Sequence, residues 1–554
     1  MFDHRKYTPF QPPHKPDRRW PDRRIEKAPI WCSVDLRDGN QALIDPMTPA
    51  QKMQMFELLV DLGFKEIEIG FPAASQTDFD FARQLIEQDR IPADVCVQVL
   101  TQARSALIER SFAALEGAHS AIVHLYNSTS PTQREKVFGA SRAQIKQIAV
   151  DGAQRVAECA ERRPQTAWRL QYSPESFTAT ELEFSLEVCN AVSVVWQPSP
   201  ANPAIINLPA TVEVATPNVY ADQIEWMSDH LDHRDCLILS LHTHNDRGCG
   251  VAAAELGLLA GADRLEGTLL GNGERTGNMD LVTAAMNLYS QGIDPQLNLA
   301  AMDRIISTVE SCTRIATHPR HAYAGELVFT AFSGSHQDAI RKCMAAQRDD
   351  APWDVAYLPI DPRDLGRTYQ EVIRINSQSG KGGVAWVLEQ EYQIKMPRWM
   401  QIDFSGIVQR EAERTDAEVP PETIWALFQA TYMSQNPALA LRDYELKRRN
   451  GRDQIRATLT QNGTAHTIAG SGRGAMDAFC NALATHRGHG ISVIDYSEHT
   501  TGQSAKAEAL AYVQLGIDGQ RACGAARSED LVGASLQAVL NALANQAQEQ
   551  AAAA

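Results

Sequence analysis

From Ile30 to about Leu270 the chain repeats one pattern, a short apolar run followed by a longer stretch in which apolar residues recur every three to four positions. The apolar runs are Trp31 to Leu36, Glu66 to Gly70, Val95 to Thr101, Ala121 to Tyr126, Trp168 to Tyr172, Ala204 to Leu208, Leu237 to His242 and Arg264 to Leu269. Runs of this length bounded by polar residues predict buried strands. Between them, segments such as Pro49 to Leu62, Ser141 to Arg162 and Tyr220 to Leu231 carry the period of amphipathic helices. Eight strand–helix units over about 250 residues predict an α/β fold of the (β/α)8 TIM-barrel type. No glycine-rich dinucleotide fingerprint follows the first strand, which counts against a doubly wound sheet.

The pattern changes on either side of this region. Residues 1–29 are rich in proline and in both charge signs, and predict an arm without a core of its own, either free or laid on another subunit. Residues 321–435 hold several short helical patterns and predict helical connector subdomains. From 436 to 554, strand-like runs at Asp453 to Thr460, Ile491 to Tyr496 and Ala507 to Leu515 alternate with helices at Ala475 to Thr485 and Ser528 to Ala544. That alternation predicts a compact C-terminal α+β domain of two similar halves. The expected organisation is therefore an arm (1–29), a barrel (30–320), connectors (321–435) and a C-terminal domain (436–554).

Composition narrows the partners. With a net charge of −16, the chain lacks the clustered Lys and Arg that hold nucleic acid or an anionic membrane. No apolar stretch approaches a membrane span and no signal-peptide core is visible, so a cytoplasmic location is expected. The ten cysteines are scattered without CxxC spacing and predict reduced thiols, several of them in the core.

Chemistry concentrates where the strands should end. Arg37 and Asp38 close the first apolar run, and His242 and His244 close the seventh. An i, i+2 pair on a strand puts both imidazoles on one face. Alone, such a pair is most often interior packing; together with a carboxylate at the same end of a barrel it makes a site for a divalent ion with positions left open for substrate. These ligands leave Mg, Mn and Zn open. Arg37 is either the ion-pair partner of Asp38 or a charge that stabilises a developing oxyanion. The run Gly271 to Asn278 follows the eighth strand; Asn272, Gly273 and Glu274 are candidates for substrate contact, and Asn278 for the metal shell. Glu175 and Thr211 each follow a strand, where they either cap helices or meet a polar substrate.

These motifs, Arg37-Asp38-Gly39-Asn40-Gln41, Gly70-Phe71-Pro72, His124-Leu-Tyr126-Asn, Tyr172-Ser-Pro-Glu175, Leu208-Pro-Ala-Thr211, His242-Thr-His244-Asn-Asp246 and Gly271 to Asn278, resemble those of the α-isopropylmalate synthases. The likeness runs from about residue 29 to the C-terminus and includes Phe332-Ser-Gly-Ser-His336-Gln-Asp338 and Asp361 to Tyr369. It implies condensation of acetyl-CoA with 2-oxoisovalerate, thioester hydrolysis to 2-isopropylmalate and CoA, and a place at the first committed step of leucine biosynthesis. It implies a divalent-metal-dependent acyltransferase, with a monovalent cation left open, that works as a homodimer with leucine as feedback effector of a regulatory C-terminal domain. By residue, it implies metal ligation by Asp38, His242 and His244, substrate contacts by His124, Tyr126 and Thr211, substrate or supporting contacts by Glu175 and Asn278, and acid/base roles for His336 and Tyr369, supplied in a dimer by the partner. The alternatives are a citramalate or homocitrate synthase, differing in the keto acid accepted, and a metal-dependent acyl-CoA lyase running the carbon–carbon bond backwards. The glycine motif of the C-terminal domain reads Gly470-Ser-Gly-Arg-Gly-Ala-Met-Asp477, where family members often carry an Asn and a Pro.

Overall fold

The structure, a computed structural model, describes residues 10–331, 333–367, 381–415, 419–433, 439–461, 463–488, 490–501 and 508–553. The chain forms two compact units, residues 1–328 with 362–367, and residues 329–361 with 368–554.

In the first unit eight parallel strands close into a barrel: β1 (Ile30–Ser33), β2 (Glu66–Gly70), β3 (Cys96–Gln102), β4 (Ser120–Ser128), β5 (Ala167–Glu175), β6 (Ala204–Ala210), β7 (Leu237–Thr243) and β8 (Arg264–Gly267). Closure comes from β1 pairing with β8, with Cys32 opposite Glu266. Helices α1 (Pro49–Leu62), α2 (Gln76–Glu87), α3 (Ser105–Ala114), α4 (Arg142–Glu161), α5 (Leu182–Trp196), α6 (Pro217–His230), α7 (Gly250–Leu259) and α8 (Leu281–Tyr289) follow the strands in turn, and α9 (Met302–Thr313) completes the unit. Local chemistry sets their ends. Thr48 and Gln51 form a capping box on α1, which stops at Gly63 with φ of +101°, and Ser141 and Gln144 cap α4 the same way.

Two expected strands end early. The first apolar run was expected to be extended through Leu36, but β1 stops at Ser33 and residues Asp35–Gly39 wind into a π-helical turn. Asp35 causes the break: its carboxylate accepts from Ser33 Oγ at 2.7 Å and from the backbone N–H of Leu269 at 3.1 Å, tying the turn across to the loop after β8. β8 likewise stops at Gly267, where a Cβ would stand 2.4 Å from the carbonyl oxygen of Met279. Conversely, β4, β5 and β6 outrun the apolar runs and carry Ser128, Glu175 and Ala210 within the sheet.

The described part of the N-terminal arm lies on its own barrel through Lys15, Arg18 and Trp20. Helix α6 presents Asp222, Glu225 and Asp229 along one side; Lys15 pairs with Glu225 at 3.3 Å and Asp229 at 3.1 Å, Arg18 forks onto Asp222 at 2.7 Å, and the indole N–H of Trp20 donates to Asp222 at 2.9 Å.

The second unit contains α10 (Gly334–Ala346), α11 (Lys381–Tyr392), α12 (Arg398–Thr415) and α13 (Pro421–Tyr432), then two copies of a three-strands-and-helix motif. The first copy is β9 (Leu439–Arg449), β10 (Arg452–Gln461), β11 (Thr464–Gly472) and α14 (Ala475–Arg487); the second is β12 (Ile491–Thr501), β13 (Glu508–Ile517), β14 (Gln520–Ser528) and α15 (Leu531–Ala553). Each sheet is antiparallel with the middle strand of its copy at the centre. The sequence pattern indicates β10, β12 and β13 but not β9, β11 and β14. β9 is charged and mostly exposed, while β11 and β14 are built from Gly, Ala and polar residues. In these, pairing overrides weak strand propensity. No helix among the described residues is long and apolar enough to cross a membrane. All ten cysteines are free thiols, five of them buried.

Candidate active site

Alternate positions of the strands β2 to β8 carry polar side chains that face the barrel interior, because side chains alternate along a strand. Glu66 and Glu68 enter from β2, Gln98 from β3, His124 from β4, Asn207 from β6, Ser240 and His242 from β7, and Arg264 and Glu266 from β8, while β5 contributes Gln171 and Ser173 at the register that faces them; all are buried. At the C-terminal mouth they open into a cleft of about 280 Å3. Arg37, Asp38, His124, Tyr126, Glu175, Thr211, His242, His244 and Glu274 all line it.

The centre of the cleft is a tight group. Asp38 Oδ2 lies 3.3 Å from His242 Nε2 and 3.5 Å from His244 Nε2, and the two Nε2 atoms are 3.2 Å apart. Ligand atoms of Asp38, His242 and His244 fall within 4.8 Å of one another. Burial opposes charge on Asp38, but Arg37 at 2.7 Å and the neighbouring imidazoles outweigh it and hold the carboxyl far below the usual carboxylate range. The two histidines diverge. Burial lowers His242, but the carboxylates of Asp38 and Glu266 beside it prevail and raise it to about 9; burial and the neighbouring His242 drive His244 down to about 3.

A divalent ion fits this donor set. Among the described residues, Asp38 Oδ2 and Asn278 Oδ1 are buried without a hydrogen-bond partner, a costly state for polar atoms unless they bind something else. Asn278 reaches the group through a backbone bridge to His244. A second cluster, Glu68, His124 and Glu266, also has ligand atoms within 4.8 Å, but they are already engaged. His124 contacts Glu68 at 2.7 Å through Nδ1 and Ser173 Oγ at 2.7 Å through Nε2, and Glu266 accepts from Arg264 at 2.7 Å.

The loops fix the remaining groups. Arg37 also bonds Glu68 through Nε, so its guanidinium is braced on both sides. Burial disfavours the ionised form of Glu68, yet Arg37 and His124 bring it down to about 2. Tyr126 OH accepts from Gln102 Nε2 at 2.9 Å; Glu175 accepts from Ser128 Oγ; Thr211 Oγ1 accepts from the Ser176 N–H at 3.0 Å. In the glycine run, Glu274 accepts from Gln41 Nε2 at 3.3 Å. Asn272 and Gly273 are not among the cleft-lining residues; Asn272 donates to Gly39 O at 2.9 Å and accepts from Asn278 Nδ2 at 3.1 Å, and a Cβ on Gly273 would strike Asn278 Nδ2 at 2.2 Å. They hold Asn278 in place.

His336 belongs to the second unit, exposed on α10 with its ring stacked on Tyr357 at 4.0 Å. Tyr369 lies outside the described residues. Sequence reasoning overlooked Gln41, Leu100, Ser173, Asn207, Pro209 and Arg275 in the cleft, and Glu68 and Glu266 beneath it. The available signal was a charge every second residue inside short apolar runs, Glu66-Ile-Glu68-Ile and Arg264-Leu-Glu266.

Comparison with known proteins agrees with this geometry. Residues 28–309 match the HMGL-like family, 326–389 the α-isopropylmalate synthase post-catalytic domain-like family, and 418–547 the LeuA allosteric (dimerisation) domain. The chain is 55% identical to a 2-isopropylmalate synthase of Alcanivorax borkumensis, covering 98% of this chain and 97% of the relative. It is 55% identical to one of a Parafrankia species (97% and 96%) and 53% identical to one of Pseudomonas fluorescens (99% and 98%). With such identity over almost the full length, and with a barrel mouth that gathers the expected polar set, the chain belongs to the 2-isopropylmalate synthase family.

Proposed function

We propose that the barrel cleft joins the methyl carbon of acetyl-CoA to the ketone of 2-oxoisovalerate, and that water then cleaves the thioester to release 2-isopropylmalate and CoA. The observation that carries this reading is Arg37 in contact with Asp38, which itself faces both His242 and His244 at the mouth of the barrel. Asp38, His242 and His244, supported by Asn278, would hold a divalent ion, Mg, Mn or Zn, which when bound polarises the keto acid's carbonyl.

Arg37 offsets the negative charge that develops on the ketone oxygen as the new bond forms. His124, Tyr126 and Thr211 hold the keto acid's carboxylate or shape the pocket for its branched side chain, His124 in the second way because both its nitrogens are engaged; Glu175 and Glu274 line the same cleft, and Asn272 and Gly273 keep Asn278 in register. A thioester methyl is weakly acidic, so a base must take one of its protons as the carbon attacks, and an acid must return a proton to the ketone oxygen. His336 and Tyr369 are the assigned acid/base pair, delivered by a partner subunit. Water then adds to the thioester carbonyl, and the sulfur leaves with a proton as free CoA.

The match to an allosteric dimerisation domain supports a homodimer with leucine as its effector. We divide the chain functionally into arm, catalytic barrel, connectors and regulatory domain at the boundaries read from the sequence. CoA release from acetyl-CoA, measured across a panel of 2-keto acids with and without leucine and chelator, tests the reading. The expected result is fastest turnover with 2-oxoisovalerate, none with chelator and less with leucine; preference for pyruvate or 2-oxoglutarate would overturn the substrate.

A further inference from the structure

Glu266, on β8, is not among the residues that line the cleft, and its side chain is fully buried. A carboxylate in such a place is costly unless every oxygen is met by donors. Here they are: Oε1 accepts from Arg264 Nη1 at 2.7 Å, Gln171 Nε2 at 2.7 Å and Gln98 Nε2 at 3.2 Å, while Oε2 accepts from Asn207 Nδ2 at 3.3 Å and faces His242 Nδ1 at 3.0 Å. An ionised carboxylate has no hydrogen to give. The hydrogen in the contact with His242 therefore sits on Nδ1, and Nε2 is the nitrogen turned to Asp38 and His244.

Arg264 anchors this arrangement from below. Its Nε donates to Glu66 at 2.6 Å, its Nη1 also reaches Ser240 Oγ at 2.8 Å, and its Nη2 reaches Gln98 Oε1 at 2.9 Å. Glu266 is thus held by groups from β3, β5, β6 and β8, while its remaining lone pair serves one imidazole on β7.

We propose that Glu266 is a positioning residue, whose carboxylate selects the tautomer of His242 and fixes its ring so that Nε2 is presented to the cation. This rests on the reading of Asp38, His242 and His244 as cation ligands. A metal-binding imidazole without its outer partner loses about 10- to 100-fold in metal affinity.

The test uses the full-length protein stripped with chelator and titrated with Zn2+ against a competing chromophoric chelator, with circular dichroism as the check on folding. Wild type is expected to bind and Asp38→Ala to lose binding; if wild type does not bind, or Asp38→Ala binds equally well, the ligand reading itself falls. Glu266→Gln is expected to weaken binding by about 10- to 100-fold while the apoprotein stays folded. Glu266→Asp keeps the charge opposite Arg264 but withdraws the oxygen from His242, and is expected to fall between the two. With Co2+ in place of Zn2+, both variants should also alter the visible absorption of the bound ion, which a role confined to folding would leave alone. Wild-type affinity in Glu266→Gln overturns the proposal, and if that variant does not fold, wild-type affinity in Glu266→Asp does so instead.

Discussion

Between the strands of the barrel lie Glu66, Glu68, Gln98, Gln171, Arg264 and Glu266, a buried interior made of charge and amide groups. Between the sheets and helices of the C-terminal domain lie residues such as Ala457, Leu459, Phe479, Val513, Ala538 and Val539, with no charge among them. Both interiors are buried, but only the first carries the desolvation cost of ions, which paired hydrogen bonds offset without an evident gain in stability. What that cost secures is orientation: each interior group of the barrel fixes the one above it, up to the ligand atoms at the mouth. The C-terminal core asks only for close packing. There Gly470 and Gly524, at matching places in the two copies, let α14 and α15 approach so nearly that a Cβ would stand 2.4 Å from Ala478 O in one and 2.3 Å from Ala538 O in the other. The glycine motif of the C-terminal domain is in this respect a packing device.

The contrast is most exposed at the mouth of the barrel. Asp38→Ala, or chelator treatment of the wild type, is expected to lower turnover by at least about 10^3-fold, since an ion polarising a carbonyl supplies several kcal/mol. Full activity after exhaustive chelation, with metal content checked by elemental analysis, would remove the role given to the barrel's ligands. Next in size is Arg37→Lys, which keeps the charge but loses the fork that spans Asp38 and Glu68. A fall in kcat of about 10^2- to 10^3-fold with little change in the KM for the keto acid is expected. A pure KM effect would make Arg37 a binding group.

In the C-terminal domain the expected losses are of stability. Gly524→Leu should cost about 1–3 kcal/mol by overpacking against α15 and lower the unfolding temperature of the second unit, read by calorimetry. An unchanged transition would show that α15 can shift to make room. The smallest effect belongs to a part-buried pair of the barrel unit, Glu181 with Arg134 at 2.8 Å. The hydrogen bond from Arg134 outweighs partial burial and lowers Glu181 to about 2. Its folded value lies below its unfolded one, so the pair's contribution is complete above about pH 4.5 and is lost as pH falls through about 2. Glu181→Gln should therefore cost at most about 1 kcal/mol at neutral pH and nothing near pH 2, by denaturant titration at both. Equal deficits at the two pH values would place the effect in packing.

Much of this was legible in the chain. The repeated alternation of apolar run and amphipathic stretch defined the barrel, and Arg37, Asp38, His242 and His244 stood out because a carboxylate beside an arginine and an i, i+2 pair of imidazoles, groups suited to hold an ion, close two of the runs. Glu66, Glu68 and Glu266 did not stand out, since a charge within such a run reads as a strand edge until the barrel closes and turns it inward. The stop of β1 at Ser33 was hidden for a similar reason: Asp35 breaks the strand through a bond to Leu269, more than two hundred residues away. β9, β11 and β14 were missed because their side chains carry little strand preference and only their neighbours' backbones recruit them.

By itself the sequence determined periodicity, and with it which residues each strand sends to the same face and which polar groups stand where strands end, because those depend on spacing along one segment. The tertiary structure decided which faces meet. That Glu266 lies against His242, that Asn278 bridges to His244 and that Gly524 lies under Ala538 are facts of register between segments far apart in the chain, set by barrel closure and sheet pairing. A buried charge or a missing Cβ acquires its meaning only from the atom that the fold places opposite it.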